Sequence, residues 1–187
     1  MKSNHRNIVV VILAPLFLFV FMGFAAGDEN IVGIENATVI QDPGNGDYHI
    51  LMRPELEFPD TTIDISRAFF DFEISPQTED TTFISIRLYP ITVDWDAENV
   101  SWDFPWSEPG GNFDEVFYGE FLIVSPSEQH IRLDITDLCM RWADGRLPYY
   151  GFLLGASRSS WHGFNLIRDG TDPIATLTIS YMSISIE

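Results

Sequence analysis

The chain has 187 residues and a formal net charge of −18, with 28 acidic residues against 10 basic ones. A surface this acidic repels polyanions, so we expect no nucleic-acid partner. Hydrophobic residues make up 45% of the chain, which is enough for a buried core, and its single cysteine excludes an internal disulfide.

The first 27 residues have the pattern of a targeting segment. Lys2 and Arg6 precede an uncharged apolar run over residues 8–26, and small residues stand before Asp28. This pattern predicts a cleaved signal peptide and a secreted or cell-surface protein. The run is also nearly long enough to span a bilayer, so the alternative is an uncleaved membrane anchor, and only then a membrane partner. Cleavage would leave one domain, residues 28–187, with no lysine and a net charge of −20.

Short apolar runs separated by turn-forming residues follow the leader. The clearest alternation places Ala68, Phe70 and Phe72 on one strand face, and Ile86 and Leu88 on another. The predicted strands span residues 31–40, 48–52, 63–74, 82–89, 120–124, 130–135, 150–155, 164–168 and 175–186. Between the fourth and fifth of these runs, residues 96–119 are predicted to form a long irregular connection rich in Gly, Pro and aromatic residues.

One short helix is predicted near residues 137–143. Thr136 is a suitable N-cap, Leu138 and Trp142 share one helix face, and Gly145 suits a left-handed C-cap. A helix this short needs tertiary packing, because it would not be stable alone in water. We expect its cysteine, Cys139, to be a small buried hydrophobe rather than a reactive thiol.

About nine strands with no alternating strand–helix pattern predict an all-β fold. The expected architecture is an antiparallel β-sandwich with jelly-roll or Greek-key topology.

Four blocks of sequence between residues 63 and 181 resemble one family. They are residues 66–72 (SRAFFDF), residues 93–102 (VDWDAENVSW), residues 133–151 with their D-I-T, Arg-Trp, Gly and Tyr-Gly positions, and residues 173–181 (PIATLTISY). The family is the DNRLRE-type domain, also described as carbohydrate-binding module family 96. The resemblance implies a jelly-roll sandwich on secreted or cell-surface proteins that bind alginate-like polymers. The acidic composition argues against transferring alginate specificity to this chain.

The candidate ligand-binding residues lie in loops. Trp106 and Trp161 stand outside the family-like blocks, and an exposed indole suits the apolar face of a sugar ring. Phe113 and Tyr118 are further aromatic candidates, and Arg158 is a candidate for anion recognition. The expected partner is a polysaccharide or cell-surface glycan. The alternative is that these aromatic residues pack over one end of the sandwich.

Asp94, Asp96 and Glu98 form an acidic cluster that could ligate a structural Ca²⁺ ion, since calcium takes several oxygen ligands. Their spacing matches no EF-hand loop, so a solvated acidic surface is the competing interpretation. We expect no other cofactor.

These observations leave three functions open. The first is a non-catalytic carbohydrate-binding module, which requires an exposed Trp106 or Trp161. The second is a structural or adhesive cell-envelope protein with the same sandwich and all five tryptophans buried. The third and least favoured is a hydrolase or lyase, which needs a deep cleft with either two converging carboxylates or an Arg–Tyr–His set.

Overall fold

The computed structural model describes residues 28–44, 47–58, 64–76, 84–123, 129–156, 164–166 and 172–182. Its strands are β1 (Glu29–Ile34), β2 (Thr38–Gln41), β3 (Tyr48–Met52), β4 (Asp64–Pro76), β5 (Ile84–Pro90), β6 (Glu120–Ile123), β7 (Gln129–Asp134), β8 (Phe152–Ala156), β9 (Phe164–Leu166) and β10 (Ala175–Met182). One helix, α1 (Thr136–Ala143), lies between β7 and β8. Across the described ranges, no helix has the length and apolar character that crossing a membrane requires. The leader predicted for residues 1–27 lies outside the described residues.

The strands form two antiparallel sheets of five strands each. Sheet A has the order β1-β10-β4-β7, with β9 paired to the end of β4, and sheet B has the order β2-β3-β8-β5-β6. The chain passes repeatedly from one sheet to the other, and the first described strand lies beside the last, which is the topology of a jelly roll. The predicted all-β sandwich is confirmed.

The main core lies between the two sheets. Phe70 and Phe72 of β4 are 0% and 3% exposed, as their alternation predicts. Phe70 packs edge-on against Phe152 of β8, with ring centroids 4.9 Å apart, so the two largest fully buried side chains join the two sheets. A β-bulge interrupts the pairing of β4 with β10: Ser180 lies opposite Arg67 and Tyr181 opposite Ile65, so no residue of β10 lies opposite Ser66. Because of this extra residue, Ile65 and Ala68 both face the core.

The first predicted strand, residues 31–40, is two strands rather than one. Residues 35–37 interrupt it, after which the chain crosses from sheet A to sheet B. The apolar pattern does not show this crossing, because both strands alternate in the same way, although Ile34 of β1 is buried in the main core and Ile40 of β2 is buried on the outer face of sheet B.

Helix α1 closes one end of the sandwich. Trp142 and its neighbours on the apolar face are buried, and Gly145 has the left-handed φ of +73° expected at the C-terminus. Thr136 is not the N-cap, since it is the first helical residue. Its hydroxyl oxygen instead accepts a hydrogen bond from the backbone N–H of Ala68, at 2.9 Å, and donates one to Asp134. This threonine therefore ties the helix to β4.

The irregular connection packs against the outer face of sheet B. We call residues 91–119 the covering segment. Its Ile91, Trp95 and Trp106 are buried against Ile40, Leu51 and Leu153 of the sheet. The indole Nε1 of Trp95 donates to the carbonyl of Tyr150 at 2.8 Å, which anchors the segment beside β8. Sheet B is consequently apolar on both faces.

Two glycines provide a matched test of the backbone packing. Gly151 and Gly145 both have a positive φ, of +82° and +73°. A Cβ atom at Gly151 would lie 2.2 Å from the carbonyl oxygen of Met52. At Gly145, no atom lies within 4 Å of the position that a Cβ would take. We expect Gly145→Ala to cost about 1 kcal/mol through the left-handed backbone alone. Gly151→Ala should cost several times more or abolish folding, because backbone atoms cannot move aside. Urea unfolding measures both, and equal losses would contradict this packing.

Candidate functional site: the open face of sheet A

The outer face of sheet A points to solvent. Strand register aligns its side chains in two rows across four strands, and we call these rows the open face: Ile31, Thr178, Phe69 and Asp134 in the first, and Gly33, Thr176, Asp71 and Arg132 in the second. Ile31 is 63% exposed, and the Arg132 side chain is 59% exposed. Because every position lies on a hydrogen-bonded strand, the surface is held rigidly.

The alternation of buried and outward side chains along β10 places hydroxyl-bearing residues at the centre of the open face. Leu177 and Ile179 point into the core, so Thr176, Thr178 and Ser180 point outward and are half-buried between neighbouring strands. Thr178 is the direct cross-strand partner of Phe69. Directly opposed side chains on a sheet have Cβ atoms about 5 Å apart, so hydroxyl groups lie next to an aromatic ring.

Asp71 organises the charged part of the open face. The Arg132 guanidinium donates from Nε and Nη2 to the two carboxylate oxygens of Asp71, at 2.7 and 3.1 Å. It also lies over the ring of Phe69, 5.2 Å from the centroid. His130 Nε2 is 3.4 Å from the same carboxylate. The hydrogen bond to Asp71 raises the pKa of Arg132.

This arrangement can hold a polar ligand with apolar C–H surfaces. Threonine and serine hydroxyls both donate and accept, and the Asp71 carboxylate only accepts. The fixed guanidinium still has N–H groups beyond the two that contact Asp71. Sequence reasoning recognised the alternation of β10 and β4 but missed this site, since only the register brings Thr178 beside Phe69.

Trp106 does not meet the condition for a sugar-stacking residue. It is 7% exposed, and its Nε1 donates to the carbonyl of Ser101 at 2.8 Å. The expectation that it is exposed is therefore wrong. The reason is that the outer face of sheet B is apolar, and the large indole supplies area to cover it.

The other aromatic candidates are also drawn into packing. Tyr118 is 7% exposed in the main core, and its hydroxyl is buried with no hydrogen-bond partner among the residues described. Phe113 is partly buried, with its ring 5.0 Å from that of Tyr89 and 6.0 Å from that of His49. Trp161 and Arg158 lie outside the described residues, so their roles stay predictions.

Two of the acidic residues suggested as calcium ligands, Asp94 and Asp96, have hydrogen-bond partners within the protein. Asp94 accepts from the guanidinium of Arg53 at 2.7 Å, and Asp96 accepts from the backbone of Glu98 and the side chain of Asn99. In the described part of the chain, no three His, Cys, Asp or Glu side chains form a group that could hold a metal ion. The structural Ca²⁺ ion stays a prediction.

Two exposed phenylalanines lie away from the open face. Phe104 is 59% exposed in the covering segment. Phe117 is 40% exposed, and the Arg87 guanidinium lies 4.6 Å from its ring centroid while also pairing with Glu120. Sequence alone does not single out Phe104, because residues 96–119 contain so many aromatic residues that buried rings cannot be told from exposed ones.

Comparison with known proteins adds no assignment: no protein-family model matches the chain, and no curated protein matches it significantly. The resemblance to DNRLRE-type domains stays a prediction.

His49 connects the covering segment to sheet B. Its Nδ1 donates to the carbonyl of Gly110 at 2.6 Å, and its ring lies 5.1 Å from that of Trp102. Burial lowers the pKa of His49, because the charged form loses solvation, and the hydrogen bond and nearby Asp47 only partly offset this effect.

The lowered pKa of His49 predicts a pH dependence of stability. The unfolded chain binds a proton near pH 6.5, whereas the folded chain resists it until lower pH. Stability should therefore be fully present above pH 6.5 and decrease as the pH falls below it. Urea unfolding between pH 7.5 and about 5.5, before most carboxylates titrate, should show this decrease in the wild type and a flatter profile in His49→Gln. Parallel profiles would contradict the assignment.

Cys139 should be unreactive in the folded protein. It is 0% exposed, and burial raises the pKa of its thiol to about 12, with a smaller contribution from the charge of Asp134. Since the thiolate is the reactive form, we expect no reaction with Ellman's reagent at pH 8 without denaturant and one equivalent in denaturant. Rapid labelling of the native protein would show that the helix opens.

Proposed function

We propose that this protein is a secreted or cell-surface, non-catalytic carbohydrate-binding protein, and that the open face of sheet A binds the glycan. The observation that carries the proposal is the row in which hydroxyl-bearing Thr178 adjoins the Phe69 ring, next to the fixed Asp71–Arg132 pair. Sugar rings present C–H groups on their faces and hydroxyls at their edges, so they match an aromatic ring flanked by donors and acceptors.

The shape of the surface supports an extended ligand. Rows two residues apart on a strand are separated by about 7 Å, and four strands give a width of about 15 Å. A surface of these dimensions is suited to several consecutive sugar units of a polysaccharide chain. The resemblance to DNRLRE-type domains points to the same class of ligand.

A structural or adhesive role in the cell envelope is the second candidate. It is favoured by the burial of Trp95, Trp106 and Trp142, which are 9%, 7% and 5% exposed, since that role needs no displayed indole. Under this hypothesis the open face would have no affinity for sugars.

Affinity gel electrophoresis on a panel of polysaccharides separates the two hypotheses. We expect at least one polymer to retard the wild type, and Phe69→Ala to weaken that binding about tenfold, since an aromatic contact is worth about 1 kcal/mol or slightly more. Phe69 is half-buried on the solvent side, so the variant should fold.

Phe104→Ala is the matched control, because it removes a phenylalanine from the covering segment rather than from the open face. It should bind like the wild type. Loss of binding in this control with retention in Phe69→Ala would place the site on the covering segment. An absence of retardation by every polymer would favour the structural role.

A further inference from the structure

Cationic groups are scarce in this protein, and most of those described are already neutralised by carboxylates. Five of the six described arginines form ion pairs with carboxylates, with N–O distances of 2.5–2.9 Å: Arg53 with Asp94, Arg87 with Glu120, Arg132 with Asp71, Arg141 with Asp137, and Arg146 with Asp144. Residues 28–187 contain no lysine. A ligand carboxylate would therefore have to compete with a carboxylate of the protein.

On the open face this competition is especially unfavourable. Arg132 uses two N–H groups on Asp71, whose side chain is only 12% exposed and also faces His130. A ligand carboxylate near Arg132 would lie beside the negative charge of Asp71, and like charges at such distances repel. Exposed acids add to this repulsion: Asp134 lies in the first row of the open face, and Glu29, Asp64 and Glu73 lie at neighbouring strand positions.

Arg67 is the described arginine for which no ion pair with another described residue is found. It lies opposite Ser180 of β10, and Glu29 of the edge strand β1 lies opposite the same serine on its other side. A single exposed guanidinium with an acid nearby attracts a polyanion only weakly, because solvent screens it.

Apart from the remaining N–H groups of Arg132, whose charge is paired with Asp71, the groups that remain for recognition are uncharged or accept hydrogen bonds from hydroxyls. Thr176, Thr178 and Ser180 can bond sugar hydroxyls in either direction, and Asp71 can accept further hydroxyl hydrogens. Given the proposed glycan-binding function, on which this step rests, we infer that the open face selects uncharged polysaccharides and discriminates against those that carry carboxylate groups.

Matched pairs of polymers test this selectivity. Each neutral polysaccharide that retards the protein is compared with its own carboxymethylated derivative at low ionic strength, where charge effects are least screened. Alginate and polygalacturonate are included in the first screen. We expect the charged derivative to bind at least about tenfold more weakly than its neutral parent.

The outcomes separate the two proposals. If the charged derivative binds equally well or better, or if only polyuronates retard the protein, the selectivity is wrong while glycan binding stands. If no polymer binds, the proposed function fails, and the inference fails with it.

A pair of variants locates the origin of the discrimination. Asp71→Asn releases the Arg132 guanidinium and removes a negative charge from the open face, so binding of the charged derivative relative to its parent should improve several-fold. Asp137→Asn removes the same charge from helix α1, where the partner is Arg141. An equal improvement in this control would show that net charge, and not the open face, causes the discrimination. Circular dichroism verifies that both variants are folded.

Discussion

Successive side chains of β3 and β8 point alternately into two apolar layers, and the rest of the structure depends on this double burial. Ile50, Met52, Phe152 and Leu154 face the main core, whereas Leu51 and Leu153 face the covering segment. A sheet without a solvent face must be covered, since apolar area left in water costs free energy. The covering segment meets that need with Trp95 and Trp106, and these indoles are therefore structural.

Sheet A has the opposite design. Its outward positions are polar or charged, apart from Gly33, Phe69 and the exposed Ile31 and Met182, so it needs no cover. Antiparallel sheets commonly have one solvated face. The two sheets of the jelly roll therefore differ in role. Sheet B is buried on both faces and contributes mainly to stability. Sheet A has a rigid outer surface whose side chains are positioned by the hydrogen-bonded register.

On the open face, the pairing of individual charges matters more than the net charge of the protein. An acidic chain has many carboxylates that are free to hold each arginine, and pairs such as Arg132–Asp71 fix guanidinium groups while cancelling their attraction for other anions. An exposed pair of this kind contributes little to stability. The pair instead fixes the direction of N–H donors and oxygen acceptors next to the half-buried ring of Phe69, and it leaves this patch with little net positive charge.

Local pattern alone determined the fold class, the main core face and the short helix. The alternation of Phe70, Phe72, Ile86 and Leu88 predicts their burial, because strand side chains have a period of two, and Gly145 predicts the helix end. Tertiary structure decided the rest. The exposure of Trp106 depends on contacts with Ile40, Leu51 and Leu153, which are distant in sequence. The contact between Phe69 and Thr178 depends on the pairing of β4 with β10. Such long-range contacts leave no periodic trace within either segment, and for that reason the site could be located only from the register of the sheet.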